Sequence, residues 1–183
     1  MFNELSKNQD LITLLLRGGV AVIRTDTLYG VVAPAGDEAA VARVYDVKHR
    51  NPQKSCIILI HDPASAYSHA DVLDFDIREY RDVPTSFLID GSGAPEWLLR
   101  QNTELAYRVP ASADLRALLE KTGPLIAPSA NPEGLPPAMT IAEARRYFGE
   151  RVDMYVDSGE VPADTPPSRL LRIHPDGREE RLR

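Results

Sequence analysis

The sequence predicts an α/β fold built on a twisted, mixed sheet, and three observations carry that reading. Helix-like and strand-like stretches alternate along all 183 residues, the pattern of a sheet layered with helices. No repeat, linker or low-complexity tract interrupts them, so a single domain over residues 1–183 is expected. Several strand-to-strand links are too short for a parallel crossover, so part of the sheet must be antiparallel.

The elements follow in order. Residues 5–17 read as an amphipathic helix stopped by Gly18-Gly19. Residues 20–23 form a short apolar strand, which runs into Arg24-Thr25-Asp26-Thr27-Leu28-Tyr29-Gly30, where hydroxyls and an aromatic replace the aliphatics. Gly36 and Asp37 supply a turn and an N-cap for a helix through Val41, Val44, Tyr45 and Val47. A basic loop, the apolar strand 56–60 and a helix start at Asp62-Pro63 come next. Residues 69–83 are polar and mixed in charge, which predicts a solvated helix.

Residues 85–89 read as a strand closed by Asp90-Gly91-Ser92-Gly93, and residues 95–99 as one helical turn. Residues 105–109 form a strand carrying Arg108, and Ser112 caps a helix ended by Gly123-Pro124. Strand 125–127 delivers Pro128-Ser129-Ala130-Asn131, and Thr140 with Glu143 forms a capping box for the next helix. A strand at 152–156 precedes an irregular, proline-rich loop at 159–168. Residues 169–173 and 178–182 pair around Pro175-Asp176-Gly177.

Composition narrows the function. The net charge is −6, from 21 basic and 27 acidic residues, which argues against coating nucleic acid by charge alone. It leaves room for a small, focused positive site. No apolar run approaches the ~20 residues of a membrane helix, and the N-terminus lacks the order of a signal peptide. One cysteine, Cys56, excludes an internal disulfide and fits a reducing, cytoplasmic setting. Four scattered histidines give no metal-ligand spacing, so no metal site is expected in the protein itself.

One stretch stands out. Lys48-His49-Arg50-Asn51-Pro52-Gln53-Lys54 gathers three fixed positive charges and a histidine between a helix and a core strand. By itself it reads most simply as a solvated basic turn. Hydroxyls and amides recur at other strand ends, at Thr25 and Thr27 and at Ser129 and Asn131, where ligands collect in open α/β sheets. Each has a plainer role alone: local turns for the hydroxyls and Asn131, and an edge-strand stem for Arg108. No P-loop, dinucleotide fingerprint or nucleophile elbow is present. Any phosphate must therefore be held by side-chain cations and hydroxyls.

Taken in order, these pieces resemble the YrdC/Sua5 family, the L-threonylcarbamoyladenylate synthases. The family's T-[DE]-T-x-Y-G matches Thr25 through Gly30, and its K-x-R matches Lys48-His49-Arg50. R-x-P matches Arg108-Val109-Pro110, S-A-N-x-x-G-x-P matches Ser129 through Pro136, and a late P-S matches Pro167-Ser168. The likeness runs from about Gly18 to the C-terminus. The departures are Arg24 for the usual proline, Glu104 for a hydroxyl, Glu133 for a serine and Arg169 for a threonine, and the chain stops at Arg183, sooner than relatives usually do.

The resemblance implies a YrdC-like open sheet flanked by helices, with a concave, positively charged cleft. It implies synthesis of threonylcarbamoyl-AMP and pyrophosphate from L-threonine, bicarbonate and ATP. Mg2+ would enter with the ATP phosphates, and a tRNA threonylcarbamoyl transferase complex would use the product to modify adenosine 37. Lys48, Arg50 and Lys54 would hold the triphosphate, with Lys48 and Arg50 acting in catalysis and Lys54 open between that role and an outer charge. Asn131 and Arg183 would contact the nucleotide. Thr27, Arg108, Ser129 and Ser168 would place threonine and the bicarbonate-derived group, and Tyr29 either lines the pocket or packs the core. Two other readings stand beside this one: a paralogue with lost or altered activity, and a module that binds tRNA or double-stranded RNA, which the net charge disfavours.

Overall fold

The computed structural model describes residues 4–68 and 83–183. The solvated helix expected over residues 69–83 falls, but for its last residue, outside the described residues. Near the N-terminus the continuous helix expected over residues 5–17 is divided. A 3-10 turn, Leu5–Lys7, precedes α1 (Gln9–Leu16), because the Asn8 side chain accepts from the Leu11 amide and caps a fresh helix there. Helix α1 closes at Gly18, whose φ of +80° is left-handed backbone that glycine adopts without strain.

Strand β1 (Ala21–Arg24) turns into β2 (Tyr29–Pro34), in register from Ala21 opposite Val32 to Arg24 opposite Tyr29. The sequence reading saw a strand losing its pattern here, whereas residues 25–28 are the turn of a hairpin. Gly30 lets the 128–131 segment approach, since a Cβ there would sit 3.3 Å from Thr25 Cγ2 and 3.4 Å from the Pro128 carbonyl oxygen. Asp37 caps α2 (Glu38–Lys48), accepting from the Ala40 amide as expected. That helix continues through Lys48, so Lys48 is not a loop residue. His49, at φ 49°, provides the left-handed C-cap.

The apolar run 56–60 yields only β3 (Ile58–Leu59). Then come β4 (Thr85–Asp90), α3 (Glu96–Leu99), β5 (Glu104–Arg108), α4 (Ala113–Thr122) and β6 (Leu125–Ile126). Helix α5 (Ile141–Phe148) opens on a complete capping box of Thr140 and Glu143. Strand β7 (Met154–Tyr155) precedes the expected hairpin of β8 (Arg169–Ile173) and β9 (Glu179–Arg181).

The sheet order is β7-β1-β2-β6-β3-β5-β4-β8-β9. β1 with β7, β3 with β5 and β4 with β8 run parallel; the other neighbours are antiparallel, so the sheet is mixed as expected. Alternate residues feed opposite faces. Val20, Val22, Val31, Ile58 and Ile60 pack with Val41 and Val44 of α2 and Phe148 of α5. Ala21, Ile23, Val32 and Leu59 pack with Leu11 and Leu15 of α1 and Leu115 and Leu118 of α4. Each such buried aliphatic contributes about 1.5–3 kcal/mol over exposure, which is what fixes two-residue strands such as β3 and β6.

The second layer does not reach across the whole sheet. Among the described residues its apolar cluster takes nothing from β4, β5 or β8. On that face Ala106 and Arg108 of β5 and Leu170 of β8 line a cleft instead.

Candidate active site

The cleft has a volume of about 750 Å³, within the range of small-molecule sites. It lies at strand ends and the loops that leave them. The β1–β2 turn, the loop after α2, the segment after β6, the 163–168 loop and Arg183 form its walls. Its charged lining residues are Arg50, Lys54, Arg108 and Arg183; among the described residues no carboxylate lines it. In a chain of net charge −6, the charged residues that line the cleft are all cations.

The β1–β2 turn is fixed by Thr25, whose hydroxyl donates to the Leu28 carbonyl at 2.8 Å and accepts from the Thr27 amide at 3.2 Å. Thr25 thus has the local turn role that hydroxyls readily take. Thr27 is buried on the cleft wall, its hydroxyl 3.1 Å from that of Thr25. The next residue of the motif, Tyr29, is fully buried, with its hydroxyl donating to the Gly159 carbonyl at 2.8 Å and accepting from the Ser158 amide at 3.1 Å. It lines the pocket and packs the core at once.

Arg108, with its side chain 4% exposed, faces Asp26, 5% exposed, at 3.1 Å between Nη2 and Oδ1. The contact is an ion pair without hydrogen-bond alignment, and Arg108 Nε has no partner. Asp26 Oδ2 accepts from the Ala111 amide at 3.3 Å. Burial pushes the Arg108 guanidinium down and Asp26 opposes that shift, so the carboxylate keeps a buried cation charged. Asp26 was not singled out by sequence reasoning. The available signal was an acid held within T-D-T beside a core strand.

Lys48 is 2% exposed, and its ammonium donates to the backbone carbonyls of Ser129 and Asn131. Glu133 returns the tie, its amide donating to the Lys48 carbonyl at 2.8 Å. Burial, then the nearby Arg50 guanidinium, push the Lys48 amine down to about 8. Ser129 Oγ donates to Asn131 Oδ1 at 2.6 Å, and Asn131 Nδ2 donates to the Pro132 and Leu135 carbonyls at 3.0 and 2.7 Å. Lys48 and Asn131 therefore stand behind the cleft and shape the loop that presents Ser129.

Arg50 is a rim cation. Its Nε donates to the Lys54 carbonyl at 3.1 Å and its Nη2 to the Ser55 carbonyl at 2.8 Å. Lys54 also reaches the cleft wall, but Nζ is 2.5 Å from Glu133 Oε1. Ser168 Oγ lies 3.0 Å from Ser86 Oγ, and Arg183 Nε donates to the Ser168 carbonyl at 3.0 Å. The cleft thus gathers Thr27, Arg50, Lys54, Arg108, Ser129, Ser168 and Arg183 of the residues the sequence pointed to.

The motif departures are accommodated. Arg24 Nη1 donates to the Ser158 and Glu160 carbonyls at 3.2 and 3.3 Å, steadying the start of the proline-rich loop. Glu104 pairs with Arg172 at 3.0 Å, Glu133 holds Lys54, and the Arg169 amide donates to the Pro84 carbonyl at 2.8 Å.

Comparison with known proteins places the arrangement. Residues 13–183 match the family model for Sua5, YciO and YrdC, described as telomere recombination. The chain belongs to the Sua5/YciO/YrdC family. Curated members similar to it include the threonylcarbamoyl-AMP synthase of Cellvibrio japonicus, 34% identical over 86% of both chains. The protein of the same name from Marinobacter nauticus is 31% identical over 87% of both. Among solved members, P. abyssi Sua5 complexed with L-threonine gives a TM-score of 0.85 at 22% identity, covering 99% of this chain and 54% of that one. E. coli YciO gives 0.81 at 21% identity, over 98% of this chain and 87% of that one. These two structures share the fold. Among the described residues no helix is long and apolar enough to cross a membrane.

Proposed function

We propose that this Sua5/YciO/YrdC member is a threonylcarbamoyl-AMP synthase, joining L-threonine, bicarbonate and ATP into threonylcarbamoyl-AMP and pyrophosphate. The observation that carries the reading is the cleft, whose charged lining is cationic and whose polar lining is mostly hydroxyl. The curated relatives of that name, matched over most of both chains, support it.

The reaction sets the requirements. Threonine's amine and bicarbonate give a carbamate with loss of water. A carbamate oxygen then attacks the α-phosphorus of ATP, the bond to the β-phosphate oxygen breaks, and pyrophosphate leaves with the electron pair. An anion must approach a polyanion, so the site must neutralise charge and fix both reactants. Arg50, Arg183 and Lys54 would neutralise the triphosphate and the leaving pyrophosphate, with Lys48 and Asn131 acting through the Ser129 loop they shape. Arg108 has an unpaired Nε in a guanidinium otherwise turned to Asp26, which suits it to threonine's carboxylate. Thr27, Ser129 and Ser168 would orient threonine and the carbamate by hydroxyl contacts. No covalent nucleophile is required.

We assign magnesium no ligand in the protein: Asp26, the carboxylate beside the cleft, is engaged by Arg108. Mg2+ enters the proposal as the counter-ion of ATP. The product would pass to a tRNA threonylcarbamoyl transferase complex in the cytoplasm for modification of adenosine 37. Pyrophosphate release measured with and without threonine and bicarbonate tests the reading. Release is expected only when both are present, and release indifferent to threonine would sink it.

A further inference from the structure

Among the described residues two of the four cleft cations have a carboxylate partner, and the two partnerships differ in kind. Arg108 and Asp26 are both buried, so that pairing is permanent. Lys54 and Glu133 are 59% and 31% exposed, so that pairing is open to water and to exchange. Among the described residues the Arg50 and Arg183 guanidiniums hydrogen-bond to carbonyls and a hydroxyl and have no carboxylate partner.

Glu133 is placed to compete. Its backbone amide is fixed on the Lys48 carbonyl at 2.8 Å, which anchors the residue at the end of α2. From there one carboxylate oxygen takes the Asn51 amide and the other takes Lys54 Nζ, at 2.5 Å. These are an N–H and an ammonium, the donor types that grip phosphate oxygens. The contacts with Lys54 and Asn51 also hold the Glu133 carboxyl below the usual carboxylate range, so it stays ionised at neutral pH. The loop itself is pinned independently, by Tyr45 Oη donating to the Lys54 carbonyl and Asn102 Nδ2 donating to the Gln53 carbonyl, each at 2.8 Å. Release of Glu133 therefore frees the Lys54 side chain without freeing the loop.

We propose that Glu133 is a built-in competitor of the phosphate chain: it engages Lys54 until a polyphosphate displaces it, and so sets the affinity of the cleft for that part of the substrate. The proposal rests on the triphosphate-binding reading above and identifies the residue that tunes it. It also answers the question Lys54 poses, since the same ammonium is an outer charge when paired with Glu133 and a cleft cation when released.

Inorganic tripolyphosphate is the probe, titrated calorimetrically into the full chain at low ionic strength, with L-threonine titrated separately. Glu133→Gln keeps an acceptor for the Asn51 amide and removes the negative charge that pairs with Lys54. It is expected to tighten tripolyphosphate binding about two- to fivefold, the scale of one exposed charge contact, and to leave threonine affinity unchanged. In a Lys54→Ala background the same substitution should have no effect on tripolyphosphate. Unchanged affinity in Glu133→Gln, or a gain that persists without Lys54, overturns the proposal. The outcome separates from that of the synthase reading, because tripolyphosphate binding is read without turnover. A protein that fails the threonine-dependence assay yet shows the Lys54-dependent gain keeps the competitor and loses only the reaction.

Discussion

The inner wall of the cleft and its rim hold cations by opposite means. On the inner side, Arg108 in the wall and Lys48 behind it are almost fully buried, and each is tied to fixed acceptors: Asp26 for one, the Ser129 and Asn131 carbonyls for the other. On the rim, Arg50 is held by carbonyl oxygens of its own loop and lies over the Tyr45 ring, and Lys54 is held by a carboxylate in contact with water. Burial makes a charge costly to leave unpaired, whereas exposure makes its partner replaceable. Substitutions inside should therefore be read first in stability, and substitutions at the rim first in binding and rate.

The largest effect that would sharpen this contrast is on the inner wall. Asp26→Asn leaves Arg108 as an uncompensated buried cation and should cost about 3–5 kcal/mol of stability. Urea unfolding measures it, and a loss no larger than that of a surface substitution would break the inner-wall account. Next is Arg50→Ala, expected to lower kcat/KM for ATP by about 10²–10³-fold while the protein stays folded. If the variant unfolds and its folded fraction turns over normally, Arg50 is scaffold after all.

Lys48→Met strands the Ser129 and Asn131 carbonyls and should cost about 1–3 kcal/mol, with activity falling alongside as the Ser129 loop loses its anchor. The lysine also has a pH signature. Its folded-state value is about 8, below the ~10.5 of an unfolded lysine, so between those values the unfolded chain binds the extra proton. The stability advantage of the wild type over Lys48→Met should widen as pH rises from 8 toward 10.5, and a gap that narrows there would contradict a depressed Lys48. Smallest of all, Lys54→Ala should leave the unfolding midpoint unmoved, because its partner is exposed.

The contrast also explains what could be read from the sequence. Caps and turns depend on neighbours a few residues away, so Asp37, Ser112 and the Thr140–Glu143 box were legible. The Asn8 break was missed because an asparagine within an apolar helical pattern need not act as a cap. Strand β2 was missed because glycine and proline blur a pattern whose support comes from β1 and β6 on either side. The motifs drew attention to the residues that line the cleft, but whether a lysine faces solvent depends on contacts 80 residues away. Lys48 and Lys54 look alike in a charged run, and only the fold buries one of them. Asp26 escaped notice for the same reason, since its partner Arg108 is remote in sequence.

The incomplete apolar cover over β4, β5 and β8 has one more consequence. Ala106 and Leu170 lie on the same face that α1 and α4 cover further along the sheet, so a substrate seated there takes the structural place of a missing helix. Substrate is then a removable part of the protein's interior, and its binding stabilises the fold by about 2.7 kcal/mol at a hundredfold excess over Kd. A melting curve should accordingly respond to ATP and threonine before any turnover is measured.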